Sequence, residues 1–198
     1  RSSARAINRA NSRQPASAPS ATLTHQRCCR GGRAARRRTE DARTRLLLGG
    51  VGCWGFNQYG QLGDGGTANR STPVQISSLA SNVISLASGS FHSCAVKSDG
   101  SAWCWGYNLK GRLGDGTVTN SSVPVAVSGL SSGTIQITAG GHQTCARKSD
   151  GSVWCWGSNQ YGQIGDGTTT DRLVPTPVQG LPFPAAGVFS GGAHVCAL

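Results

Sequence analysis

The sequence predicts an all-β fold: a partial β-propeller of about three blades, each a four-stranded antiparallel sheet, behind a disordered basic N-terminal segment. Three observations predict it. The stretch CWGFNQYGQLGDGG (53–66) returns as CWGYNLKGRLGDGT (104–117) and as CWGSNQYGQIGDGT (155–168), each time after a step of 51 residues. A second motif, a cysteine followed by alanine at Cys94, Cys145 and Cys196, keeps the same step. Self-similarity at such a period marks stacked supersecondary units that bury a core only against one another. Within a unit, apolar residues alternate with the period of a strand, glycine-rich turns separate the runs, and no segment carries a helical face.

Residues 1–50 stand apart. They hold twelve of the nineteen Lys and Arg against two acids, Glu40 and Asp41, a charge of +10; residues 51–198 hold seven bases and six acids, +1. The basic character therefore belongs to the leader and does not make the array a nucleic-acid-binding surface. The longest aliphatic run there is Leu46-Leu47-Leu48, too short for a signal-peptide core or a membrane span. Two bland readings compete, a disordered basic linker and misassigned sequence; an arginine-rich segment for nucleic acid or acidic lipid is the third. With no methionine in it, the chain is expected not to be a complete translation product. Later units place an alanine-flanked cysteine ten residues before the CWG cysteine, where the first copy has Arg43. The array is thus expected to enter in mid-unit, with a partial unit over 51–81, full units over 82–132 and 133–183, and a further part over 184–198.

The full unit opens with VISLASGS, in which Ile84 and Leu86 alternate with small or polar residues; Ile135 and Ile137 repeat the pattern. The small residues that follow, Ala87-Ser88-Gly89-Ser90 and Ala139-Gly140-Gly141, suit a place where several strands crowd together. Next, HSCAVKSDGSAWCW reads as a hairpin whose loop, Ser98-Asp99-Gly100, is a type I turn closed by a left-handed glycine. That loop sets Lys97 opposite Ser101 and Cys94 opposite Cys104, at a non-hydrogen-bonded pair where side chains approach closest. The same count sets Cys145 opposite Cys155. GYNLKGRLGDGT is turn chemistry, and Val-Pro-Val-Ala-Val after it reads as an edge strand, where proline removes no ladder bond.

CWG-x-N-x-x-G-x-[LI]-GDG, preceded by H-x-C-A and SDG-x-x-W, resembles the repeats of the RCC1 (regulator of chromosome condensation) family, and the cysteine-bearing form is similar to its bacterial, often extracytoplasmic, members. The resemblance covers residues 51–198 and implies a propeller that usually has seven blades. Kelch repeats have a similar period but different punctuation. Three blades cannot close a ring, so a fragment is expected, or blades supplied from elsewhere.

Candidate chemistry is sparse. Cystine is the first reading of Cys94, Cys104, Cys145 and Cys155, ahead of buried thiols and of a metal site. His92 lies two residues before Cys94, but His142 lies three before Cys145, and a shared zinc geometry does not survive that shift. Trp54, Trp103, Trp105, Trp154 and Trp156 are read as packing between blades rather than a stacking platform. Asp64, Asp115 and Asp166 each stand alone, without the D-x-D spacing of a calcium loop, and are read as turn residues. No serine sits in G-x-S-x-G, and no glycine-rich stretch has a phosphate loop's lysine. The segments after each GDG vary between copies, and loops on a rigid scaffold are where binding resides. Arg70, Asn120, Asp171 and Arg172 are accordingly the candidate partner contacts.

The expectation is a non-enzymatic interaction scaffold, secreted or displayed on a bacterial cell envelope, with a protein partner of unknown identity. No cofactor, metal, small-molecule substrate or membrane span is expected, and nucleic acid is not the expected partner. Two alternatives stay open: guanine-nucleotide exchange on a small GTPase, which the family name implies and which would place the chain in the cytoplasm, and inhibition of a secreted enzyme.

Overall fold

The computed structural model describes residues 50–198. The expectations for residues 1–49 lie outside the described residues. Twelve strands follow in order: β1 (Gly52–Gly55), β2 (Arg70–Gln75), β3 (Val83–Ser88), β4 (His92–Lys97), β5 (Ala102–Gly106), β6 (Ser121–Ala126), β7 (Thr134–Ala139), β8 (Gln143–Lys148), β9 (Val153–Gly157), β10 (Arg172–Pro177), β11 (Val188–Ser190) and β12 (Val195–Ala197). They form four antiparallel sheets, β1-β2, β3-β4-β5-β6, β7-β8-β9-β10 and β11-β12. The two central sheets are whole blades in which sequence neighbours are also sheet neighbours. The outer two hold the last and the first pair of a blade's strands. Pro73, Pro124 and Pro175 all fall on the final strand of a blade, an edge, where a missing N–H breaks no ladder bond.

The hairpin at the heart of each blade follows its turn chemistry. Lys97 N–H donates to Ser101 O at 2.9 Å, Gly100 takes a φ of +82°, and the Asp99 carboxylate accepts the Ser101 N–H at 2.9 Å. This register sets Cys94 against Cys104 with Cα atoms 4.0 Å apart and their sulfurs bonded; Cys145 and Cys155 repeat the arrangement at 4.1 Å.

Blades join through two sets of contacts. At the inner edge, first strands of successive blades meet: Ser85 Oγ accepts the Ile137 N–H at 3.1 Å, and Gln136 makes a two-point contact with the Val188 backbone at 3.0 and 3.2 Å. Farther out, an indole closes the seam. Trp105 and Trp156 are fully buried, and each donates its Nε1–H across the seam, to Gln61 O and Arg112 O, both at 2.9 Å. Ser93 and Thr144 hydroxyls donate to those same carbonyls at 3.0 and 2.8 Å, so both lone pairs are used. Burying an indole removes roughly 150–250 Å² from water, on the order of 4–6 kcal/mol, whereas its hydrogen bond contributes about 1 kcal/mol. Area supplies the stability; the hydrogen bond sets the register.

The notch that receives each indole is made by the first glycine of GDG. Gly63 and Gly114 have φ of +74° and +72°, and a Cβ there would lie 2.7 Å from Trp105 Nε1 and 2.6 Å from Trp156 Nε1. Trp103 and Trp154 depart from the expectation of packing between blades. Each donates its indole N–H to the serine two residues earlier and lies beneath a lysine, Lys97 or Lys148, at 5.0 and 5.4 Å.

His92 extends the second seam's polar chain, with Nε2 2.8 Å from Thr144 Oγ1. Thr144 spends its one proton on Arg112 O, so His92 must donate, which fixes the neutral Nε2–H tautomer. Burial, with the nearby charges of Arg112 and His142, pushes its pKa down to about 3.

Two outcomes are expected. Gly114→Ala should destabilise the protein by about 3 kcal/mol in urea titration, because it adds a seam clash to the left-handed backbone cost. Gly129→Ala, at the same φ of +72° with open space around it, should cost about 1 kcal/mol. The second outcome concerns acid. Between pH 6.5 and about 3 the unfolded chain binds a proton at His92 that the folded chain does not, so stability must rise with pH across that window. Thermal midpoints should therefore fall from pH 7 to about 5, above the range where carboxylates begin to bind protons, and His92→Gln, the residue found at Gln143 one unit on, should remove most of that slope. His142, shifted down by partial burial and by the charges of Arg112 and Lys110, supplies the remainder, while Asp64, Asp99, Asp150, Asp166 and Asp171, all held low, add to the loss only below about pH 5.

Candidate interaction face at the blade seams

The loop after each CWG strand is built around one asparagine. Asn57, Asn108 and Asn159 are completely buried. The Asn108 Oδ1 accepts the Leu113 N–H at 2.9 Å, its Nδ2 donates to Asp115 Oδ1 and Thr117 O at 3.1 Å each, and its backbone N–H donates to Asn120 Oδ1 at 2.8 Å. Asn57 and Asn159 make the equivalent bonds, to Leu62, Asp64 and Asn69 and to Ile164, Asp166 and Asp171. A buried amide satisfied on both sides ties the loop shut and leaves the positions just before it and two residues after it at least partly outside, except at buried Ser158, so residue type there is loosely constrained by the fold.

The residues expected to contact a partner turn out to stitch these loops. Arg70 pairs with Asp64 at 2.9 Å and Arg172 with Asp166 at 2.6 Å. Asn120 and Asp171 each accept the backbone N–H of the loop asparagine at 2.8 Å, and Asp171 also bridges to Lys110 of the preceding blade at 3.0 Å. Burial alone would raise the Asp166 carboxyl, but hydrogen bonds from Thr168 and Arg172 outweigh it and hold the pKa at about 2. The GDG aspartates accept the N–H two residues on, as turn residues do. Among the described residues no three of His, Cys, Asp and Glu gather to hold a metal, and no helix is long and apolar enough to cross a membrane.

The untied positions create a surface that inspection of the segments after GDG does not reach. Phe56, Tyr59, Phe91 and Tyr107 form one cluster across the first seam. Tyr59 and Tyr107 have ring centroids 4.5 Å apart, Tyr59 and Phe91 5.4 Å, and Phe56 meets Tyr59 at 6.2 Å and Phe91 at 6.3 Å. Phe56 remains 45% exposed. One blade on, the places of Phe56, Tyr59 and Phe91 are taken by Tyr107, Lys110 and His142, and Arg112 stands where the other copies have Gln61 and Gln163. The Arg112 guanidinium lies 4.7 Å from the Tyr107 ring centroid. The rim thus passes from aromatic at the first seam to basic at the second. The sequence does hold a trace of this: the first and third variable places inside CWG-x-N-x-x-G are Phe-Tyr, Tyr-Lys and Ser-Tyr in the three copies.

Comparison with known proteins agrees with this architecture. The family described as regulator of chromosome condensation (RCC1) repeat matches residues 49–96, 99–147 and 150–198. The chain is 37% identical over 147 residues to the human E3 ubiquitin-protein ligase HERC2, an alignment that takes in 72% of this chain and 3% of the ligase. It is 34% identical over 155 residues to the ultraviolet-B receptor UVR8 of Arabidopsis thaliana, covering 77% of this chain and 35% of the receptor. Among solved structures, Prp20p of Saccharomyces cerevisiae, described with its binding to Gsp1p and histones, superposes with a TM-score of 0.67 at 22% identity, over 75% of this chain and 39% of that one. Human WBSCR16 gives the same TM-score at 26% identity, over 76% and 40%. With its 51-residue units, indole-closed seams and family match over three stretches, the chain belongs to the regulator of chromosome condensation (RCC1) repeat family.

Proposed function

We propose that this chain is a non-enzymatic protein-interaction scaffold whose working surface is the aromatic-to-basic rim over the blade seams. The observation that carries the reading is the split between copies. Tryptophan, asparagine, aspartate and glycine recur wherever the fold needs them, while rim positions change from copy to copy and leave rings in solvent. Repeated residues serve every blade alike; a recognition surface needs a place that differs. Aromatic side chains with arginine among them are the residue types that dominate binding energy at protein interfaces. The relatives' own activities belong to longer chains, since the shared stretch is 3% of the ligase and 35% of the receptor.

The two hairpin cystines support a secreted or cell-envelope location, since such bonds persist in oxidising compartments. Guanine-nucleotide exchange in the cytoplasm is the alternative that reduced cysteines would favour.

The direct test is capture of a partner from native extract by the immobilised chain. Phe56→Ala with Tyr59→Ala should abolish capture while lowering stability by about 2 kcal/mol without unfolding the protein, because both rings are only partly buried. Arg70→Ala, in the loop after GDG, should leave capture intact. Capture lost with Arg70→Ala and kept with the rim variant would transfer the site to those loops. The location is checked separately by peptide mapping of non-reduced protein from its native source. Peptides joining Cys94 to Cys104 and Cys145 to Cys155 are expected, and each bridge removed by reductant should lower stability by about 2–3 kcal/mol. Four alkylatable thiols would instead favour the exchange-factor reading.

A further inference from the structure

Arg112 is a charge that the fold does not require. Only 1% of the residue is exposed, yet it takes part in none of the ion pairs among the described residues, which join Arg70 to Asp64, Lys110 to Asp171 and Arg172 to Asp166. Its Nε donates to Leu109 O at 3.1 Å, its face lies on Tyr107, and its Nη1 is buried with no partner atom. At the same place in the other copies a neutral glutamine completes the loop: Gln61 Oε1 accepts the Tyr59 N–H at 3.0 Å, and Gln163 Oε1 accepts the Tyr161 N–H at 2.9 Å. Two of three loops therefore close without a cation. A buried guanidinium lacking a counter-charge is unfavourable, and it is the kind of group that an arriving carboxylate relieves.

We propose that the rim over Arg112 is the docking site for an acidic segment of a partner protein, in which a bulky apolar side chain seats against Phe91 and Tyr107 and neighbouring carboxylates lie over the accessible Lys110 and His142, held there by the uncompensated charge of Arg112 beneath them. The inference rests on the interaction reading above and names the chemistry of the partner. Charge decides between acidic protein and nucleic acid. Binding to a phosphate backbone draws on many cations spread along a track. Residues 51–198 carry +1 in total, and Lys110 is already matched by Asp171. One uncompensated charge beside a ring cluster fits a short stretch that mixes carboxylates with one apolar anchor.

The test uses an array of short synthetic peptides that place one Trp, Phe or Leu among Asp and Glu at different spacings. The controls are the same peptides with Asn and Gln for the acids, the same peptides with Ala for the anchor, and an oligo-dT strand. Arg112→Gln restores the residue of the sister copies and removes a buried unpaired charge, so it is expected to fold with a urea midpoint at or above the parent's; Phe91→Ala removes a ring without touching the charge. The expected result is binding of acidic, anchored peptides that weakens about tenfold on Arg112→Gln, weakens on Phe91→Ala, and falls as salt rises from about 0.05 to 0.5 M. Equal binding of the neutral peptides, preference for oligo-dT, or no effect of Arg112→Gln would overturn the proposal. Absence of binding by every peptide would overturn it as well. It would leave the scaffold reading standing on its own capture experiment, since a partner captured through the rim with no dependence on salt or Arg112 refutes only the acidic class.

Discussion

Everything in this protein depends on an indole pressed into a glycine notch of the blade before it. A single blade is a twisted sheet with two apolar faces and cannot bury either alone. Trp105 and Trp156 fill the space between sheets, and the same indoles hydrogen-bond to a carbonyl held at a fixed place by the loop asparagine. The notch exists only because Gly63 and Gly114 have no side chain. One large residue and one absent side chain, 42 positions apart at Gly63 and Trp105, convert a string of hairpins into a stack.

That arrangement explains why function and fold separate so cleanly along the chain. The asparagine knot uses the backbone of the loop and one amide, so what stands just before the asparagine and two residues after it is free to change. Blade one places Phe56 and Tyr59 there and blade two Tyr107 and Lys110, and the knot closes in the same way in both. The GDG loops look variable in sequence but are tied by Asp64–Arg70 and Asp166–Arg172 pairs, which makes them stiffer than their composition suggests. The rim carries the variety, and only at Arg112 does that variety bury a charge without a counter-charge.

Electrostatics inside the array is governed by burial more than by number of charges. With seven bases and six acids over 51–198, no large field arises, and individual placement matters. His92 is neutral because it is sealed under the second seam, and Arg112 stays charged beside it because guanidinium does not give up its proton. The two share a seam in which the only proton-donating choice left to His92 is Nε2. This local asymmetry distinguishes the second seam from the first, where a glutamine stands in place of the arginine.

What the sequence determined by itself is whatever is local or strictly periodic. The hairpin was legible because a three-residue turn fixes register, and register alone sets Cys94 against Cys104. The blade count and strand order were legible because the 51-residue step repeats. The edge strand of the full unit was marked by Pro124 in Val-Pro-Val-Ala-Val. What only the tertiary structure decided is which side of a seam each side chain meets. Trp103 and Trp105 share a strand face and looked alike, yet one lies under Lys97 in its own blade and the other crosses into its neighbour. Tyr59 and Tyr107 are 48 residues apart, and nothing in their spacing places them 4.5 Å from each other. The reason is physical: the rotation between consecutive blades is set by how the indoles and the inner strands pack, and a one-dimensional pattern carries the period of that packing but not its angle.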